Sequence, residues 1–371
     1  MASIGGVLLV WALAADQQWF DRHFLPAFFV SRDAYVLVQS LARVAAAALG
    51  LTLALALRPR LGRFIATNPA RACHAALAAV LAVGASELIL QQLHLHAAQE
   101  EPAGQEPRRR LDPRLGWMFV PARAARHNEA GRVVEYAFDP AGYRVRHVEE
   151  PVDPEQPTLL FTGESMMVGE GLNWEETIPA QSAAILGIQS ANLAVSAYAS
   201  DQAYLRLQAE LPRFRDPVAI VALFTPSLFD RNMDDDRPHL GRGLVWQPAV
   251  ERSRLMAILR LVVRYHMSET IERGIAVTRE VLRATCDLAR ARGAVPLILV
   301  PQFVPETAAE RDLGQRVLEG SGVPVVRVEL DRAWRIPGDG HPDARAARTI
   351  AKEVADRLAR DLGKAAAVEL R

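Results

Sequence analysis

Two short motifs, far apart in the chain, have the residue types needed for nucleophilic chemistry. Thr162-Gly163-Glu164-Ser165-Met166-Met167-Val168-Gly169-Glu170-Gly171 follows the apolar run TLLFTG at 158–163. A serine between a strand end and a glycine-rich turn can hold its hydroxyl exposed, with nearby backbone N–H groups aimed at a developing oxyanion. A plain turn or helix cap is the ordinary alternative. Near the other end, Gly338-Asp339-Gly340-His341-Pro342 opens the last expected helix, with Pro342 at a favoured first-turn position. His341 has the chemistry to take the proton of Ser165, and Asp339 to orient the imidazole and stabilise its cation. Taken singly, each motif also fits a turn. Together they supply nucleophile, base and orienting acid, the set required for acyl transfer.

Other residues admit plainer roles. Met166, Met167 and Trp246 are candidates for lining an acyl pocket, with ordinary packing as the other reading. The run Asp234, Asp235, Asp236 lacks the spaced carbonyl or glutamate ligands of a hard-cation loop, so it reads as a solvated loop. No metal and no cofactor are expected. His94 and His96 read as interfacial residues, and Arg108, Arg109 and Arg110 as a solubilising linker or a contact for lipid phosphates. Cys73 and Cys286 are the only cysteines, too few for a disulfide framework or a CxxC metal knuckle. Lys+Arg and Asp+Glu both count 43, so no basic excess suggests a nucleic-acid partner.

The elements that must position Ser165 and His341 are legible as an alternation. TLLFTG (158–163), SANLAVS (190–196), VAIVALF (218–224), VPLILVP (295–301) and VPVVRVEL (323–330) read as strands, with helical patterns near 175–186, 201–212, 270–292, 305–319 and 342–361. Such alternation predicts an α/β fold, a parallel sheet covered on both faces. In the last helix Ala347, Ile350, Ala351, Val354 and Leu358 recur at helical spacing and predict the packed stripe. Residues 229–269 interrupt the alternation and read as an insertion near the site. Residues 98–112 read as a linker, and the stretch after it as a small β appendage of a hairpin or meander.

The first 97 residues have a different character. Residues 34–57 and 73–95 are apolar and about as long as the roughly 20 residues a spanning helix needs. Residues 2–15 are apolar but short, consistent with a third span or an interfacial helix. Arg58, Arg60, Arg63 and Arg71 lie between the two clear spans with no acid, which predicts a cytoplasmic connector and an outward-facing remainder. Arg43 and Glu87 fall at matched depths and are candidates to pair. The division expected is a membrane anchor at 1–97, a linker and appendage at 98–156, and a catalytic domain at 157–371.

With these motifs in place, the chain resembles the SGNH (GDSL-type) hydrolase superfamily, specifically its membrane-anchored bacterial members. GESMMVGEG resembles the first block, NLAVSAYASDQA (192–203) the second, and DGHPDARAARTIA (339–351) the last; DPRLGWMFVP (112–121) and AGYRVR (141–146) resemble a recurrent preamble. The resemblance implies a flavodoxin-like three-layer α/β/α sandwich, with Ser165, Asp339 and His341 catalytic. It also implies an oxyanion hole from the N–H groups of Ser165 and Ala197, with Ser227 aligned to the usual asparagine donor. Three departures stand out: Glu164 replaces the usual Asp, Ala197 stands at a Gly position, and Ser227 replaces Asn. The implied function is a membrane-tethered serine esterase or O-acyltransferase acting on an acyl ester, a lipid or envelope glycan, outside the cytoplasm at the inner membrane and its lipid bilayer. The departures keep open a second reading, a catalytically inactive envelope protein that binds or scaffolds through the inherited cleft.

Overall fold

The structure is a computed structural model that describes residues 2–25, 32–99, 106–129, 131–262 and 264–369. The chain forms two compact units, Met1–Pro102 with Glu251–Ser268, and Ala103–Val250 with Glu269–Arg371.

The first unit is helical: α1 (Ala2–Ala14), α2 (Gln17–His23), α3 (Arg32–Leu51), a π-helical stretch over Thr52–Leu57, α4 (Arg58–Thr67) and α5 (Pro69–Gln99). Asp33–Thr67 and Pro69–Leu93 are long and apolar enough to cross a membrane, while Ser3–Ala14 is apolar but shorter. Helix α1 packs on α3 through small residues: a Cβ on Gly5 would lie 2.6 Å from the Gly50 carbonyl oxygen. The expected Arg43–Glu87 pair does not form. Arg43 Nε donates to the Ala12 carbonyl at 2.9 Å, and Glu87 is engaged elsewhere in this unit. Counting residues along two spans does not specify which partner each charge meets.

The second unit contains β1 (Arg109–Asp112), β2 (Gly116–Phe119), β3 (Arg123–Glu129), β4 (Arg132–Phe138), β5 (Arg144–Val145), β6 (Thr158–Thr162), α6 (Ser165–Val168), α7 (Ile178–Leu186), β7 (Gln189–Asn192), α8 (Ser200–Glu210), β8 (Pro217–Leu223), β9 (His239–Leu240) and β10 (Trp246–Gln247). After α9 (Arg254–Val262), which belongs to the first unit, come α10 (Ser268–Ala291), β11 (Val295–Val304), α11 (Ala308–Leu318), β12 (Val325–Asp331) and α12 (Ala344–Glu369). Eight strands form one sheet in the order β12-β11-β8-β6-β7-β5-β4-β3. The first five are mutually parallel, and their order is that of a flavodoxin-like sheet.

Burial explains the strand patterns. Every residue of β6 is buried, as an interior strand with both faces covered requires, whereas in β12 buried Val328 and Leu330 alternate with exposed Arg327, Glu329 and Asp331 at the sheet edge. Helices α7 and α12 cover one face; α8 and α10 close the other around Leu160, Leu193, Leu207, Phe214, Ile220 and Ala289. Ala347, Ile350, Ala351, Val354 and Leu358 are fully buried along α12.

Two expectations change here. Strands β3, β4 and β5 are not a separate appendage; they extend the same sheet in antiparallel fashion, with Arg144 of β5 opposite Asn192 of β7. From this stretch, β1 and β2 form a two-stranded hairpin apart from the main sheet. Of the expected linker, 100–105 lie outside the described residues and 109–112 form β1, which takes in Arg109 and Arg110. The side chains of His94 and His96 also lie outside the described residues.

Candidate active site

Strand β6 pairs with β8 on one side and β7 on the other, so the strand order reverses at β6, the place where open α/β sheets bind ligands. The chain leaves β6 through Gly163 at φ +155°, where a Cβ would lie 2.7 Å from Leu223 Cβ; only glycine fits. Glu164 then caps the four-residue helix α6, its carboxylate accepting from Met166 N at 3.3 Å. This places Ser165 at the first helical position beyond the sheet.

His341 reaches the same point from the loop between β12 and α12. Its Nε2 lies 2.8 Å from Ser165 Oγ and its Nδ1 2.5 Å from Asp339 Oδ2. Ser165 and His341 are buried. Two further carboxylates flank this relay: Glu170 Oε2 is 3.4 Å from His341 Nε2, and Glu164 Oε2 accepts from Ser165 Oγ and pairs with Arg231 Nη1 at 3.3 Å. Burial alone would lower the pKa of His341, but the hydrogen bond it donates to Asp339 and the negative charges of Glu170, Asp339 and Glu164 outweigh it, and the net shift is upward. When the imidazole is protonated, Nε2–H donates to Oγ and the hydroxyl points at Glu164. When it is neutral, Nε2 accepts the hydroxyl proton and the general-base arrangement is complete.

The supporting framework was largely missed in the sequence. Fully buried Arg144 donates to the carbonyls of Val168, Gly169 and Leu172 at 2.7, 2.7 and 2.5 Å, and Asn192 Nδ2 donates to Met167 O at 2.9 Å. Together they clamp the turn that carries Ser165. Trp117 Nε1 donates to Ser196 O at 2.9 Å, and Tyr198 OH to Trp117 O at 2.7 Å, so β2 sets the loop on either side of Ala197. The signal lay in the preamble motifs, which supply Trp117 and Arg144.

Ala197 adopts φ +63°, the left-handed conformation open to glycine at no cost. The hydrogen bonds on either side hold alanine in that conformation, at a cost of about 1–2 kcal/mol.

The 3₁₀ helix Pro226–Met233 follows β8 and decides the third block. A recess beside Glu164 is lined by Gly163, Tyr198, Thr225, Leu228 and Asn232; Ser227 does not line it. Asn232 Oδ1 accepts from Ser200 N at 2.8 Å, which turns its amide donor away from that bond. Thr225 Oγ1 is buried with no hydrogen-bond partner. Met166 and Met167 are core residues, with Met167 wholly buried, rather than the wall of an acyl pocket. Trp246 is half-exposed, its indole N–H donating to Arg114 O. Among the described residues no group of His, Cys, Asp and Glu is arranged to hold a metal ion.

Three solved structures illustrate the similarities found for this chain. An acetyl xylan esterase from Butyrivibrio proteoclasticus is 12% identical over 58% of this chain and 66% of its own, with a TM-score of 0.36. A protein described as lipolytic and of the G-D-S-L family, from Desulfitobacterium hafniense, is 11% identical over 54% of this chain and 98% of its own, with a TM-score of 0.35. A salicylyl-acyltransferase from a tetracycline biosynthetic pathway is 18% identical over 58% and 57%, with a TM-score of 0.30. No family profile matches the chain, and no curated protein matches it.

Proposed function

We propose that the chain is a membrane-tethered SGNH-type serine esterase or O-acyltransferase that acts on an acylated lipid or envelope glycan outside the cytoplasm. The observation that carries this reading is the continuous relay from Ser165 Oγ through His341 to Asp339 at the point where the strand order reverses. Ser165 Oγ attacks the acyl carbonyl while its proton passes to His341 Nε2, and Asp339 stabilises the imidazolium. The tetrahedral oxyanion collapses, the C–O bond to the leaving alcohol breaks, and His341 returns the proton to that oxygen. Water or an acceptor hydroxyl then attacks the acyl-serine with His341 again as base, and Ser165 is released.

The N–H groups of Ser165 and Ala197 are the backbone donors to the oxyanion. For the side-chain donor, the recess favours Asn232 over Ser227, because Asn232 shares it with Gly163 and Glu164 and has its Oδ1 committed to Ser200. Thr225 Oγ1 is a further buried donor in that recess. The Arg58, Arg60, Arg63 and Arg71 connector supports an orientation with the catalytic unit outside. Hydrolysis of short acyl esters by the purified full chain, compared with Ser165→Ala, tests the chemistry. Loss of turnover in a folded variant is expected, whereas unchanged turnover would remove Ser165 from the reaction. A reporter fused within 60–70 and one fused after 371 test the orientation; the first is expected to behave as cytoplasmic and the second as exported.

A further inference from the structure

The segment Glu251–Ser268 departs from the catalytic unit between β10 and α10 and joins the helical unit, although the sequence reading leaves it inside the catalytic domain. Both of its ends are fixed there. At its start, Glu87 of α5 accepts from the first backbone N–H groups of α9: Oε1 from Arg254 N at 2.7 Å and Oε2 from Leu255 N at 2.9 Å. At its end, Tyr265 stacks on His23 and Trp19 of α2, with ring centroids 5.3 and 5.9 Å away, and His266 N donates to His23 O at 2.9 Å. Glu87, a charge in an otherwise apolar span, is thus the docking point for a helix that arrives 167 residues later.

Helix α9 is amphipathic. Leu255, Ile258, Leu259 and Val262 recur at i, i+3, i+4 and i+7, while Arg260 falls on the opposite side, Arg254 at the margin, and Arg264 just past the helix end. The segment holds four arginines and one acid, Glu251. Although the helix is docked, Met256, Ile258 and Leu259 remain 48%, 45% and 53% exposed. An apolar strip flanked by arginines and by the aromatic cluster of Trp11, Trp19, Phe20, Phe24 and Tyr265 is the composition of a helix lying in a membrane interface. Its level agrees: Glu87 lies six residues before the end of the apolar stretch at Leu93, roughly 9 Å along the helix axis, near the depth at which such helices bury their apolar face.

We propose that α9 is an interfacial helix whose exposed face, Met256, Ile258 and Leu259, is covered by acyl chains of the outer leaflet. It gives the catalytic unit a second membrane attachment besides the chain through 98–112. The inference rests on the membrane-tethered reading above, and its test separates the two. The full chain, carrying Cys73→Ser to remove the exposed native thiol, is reconstituted in phosphatidylcholine/phosphatidylglycerol vesicles containing acyl-brominated lipid. A fluorophore is attached at Met256→Cys or Leu259→Cys, with Leu81→Cys as a reference in the span and Arg290→Cys as a reference in the catalytic unit. Quenching at 256, 259 and 81 but not at 290 is expected, and Glu87→Ala is expected to abolish it at 256 and 259 alone. Quenching at 81 without quenching at 256 and 259 overturns the interfacial helix while leaving the tether intact; cross-linking between copies through 259 in that case assigns the face to self-association. No quenching at 81 overturns both readings.

Discussion

Replacing Asn232 by aspartate separates its two functions in one substitution. The side chain keeps an oxygen acceptor for the Ser200 N–H, now 2.8 Å from Oδ1, but loses its amide donor and gains a negative charge in the recess beside Glu164. If that donor serves the oxyanion, its loss and the repulsion from the new carboxylate both fall on the transition state, and kcat should drop at least about 100-fold, or about 2.7 kcal/mol, with little change in KM. Stability should stay within roughly 1 kcal/mol of the parent because the Ser200 bond survives, whereas Asn232→Ala adds the loss of that bond, about 0.5–1.5 kcal/mol. Steady-state ester hydrolysis and urea denaturation measured on the same preparations provide both numbers. A folded Asn232→Asp variant with kcat within a few-fold of the parent would refute the assignment. So would a gain in Ser227→Asn, which returns the donor role to position 227.

Three other outcomes are expected. The carboxylate of Glu170 helps hold the pKa of His341 above its ordinary value, and the base is active only when neutral, so Glu170→Gln should move the acid limb of kcat/KM to lower pH; a limb that stays or moves up contradicts the electrostatics. Ala197→Gly should raise stability by about 0.5 kcal/mol, the relief of left-handed strain less the added freedom of the unfolded chain, with activity preserved; a loss of stability by denaturation would show that the strain is absent. Arg237 pairs bidentately with Asp201, both side chains about 6% exposed, and Arg237→Met should cost about 3–5 kcal/mol by leaving Asp201 buried and unpaired. Calorimetry or chemical denaturation would detect it, and a cost below 1 kcal/mol would mean that Asp201 finds water.

The candidate residues Ser165, Asp339 and His341 were legible because their positions follow from local rules. A serine after an all-apolar strand and an Asp-x-His before a helix fall at strand ends whatever the details of packing, and the parallel strands showed as short apolar runs alternating with helical patterns. What depended on distant partners was not legible. The pairing of β5 with β7 joined the supposed appendage to the main sheet, and nothing within 112–151 specifies that partner. Of the two readings open for Met166 and Met167, pocket wall or packing, the short helix α6 decides for packing by turning both into the core. Asn232 lines the recess beside Glu164 and Ser227 does not, because the residues between them coil into a 3₁₀ helix, which a linear alignment of the block does not register. Glu87 found its partner in the backbone of α9 rather than in a charge at its own depth.

Covalent capture of the nucleophile tests the central claim most directly. The full chain, treated with a fluorophosphonate and digested for mass analysis, is expected to carry one adduct, on the peptide containing Ser165. Ser165→Ala should carry none, and His341→Ala should be labelled far more slowly. A folded parent that takes no label, or an adduct that persists on Ser165→Ala, would contradict the assignment of Ser165, His341 and Asp339 as an acyl-transfer triad.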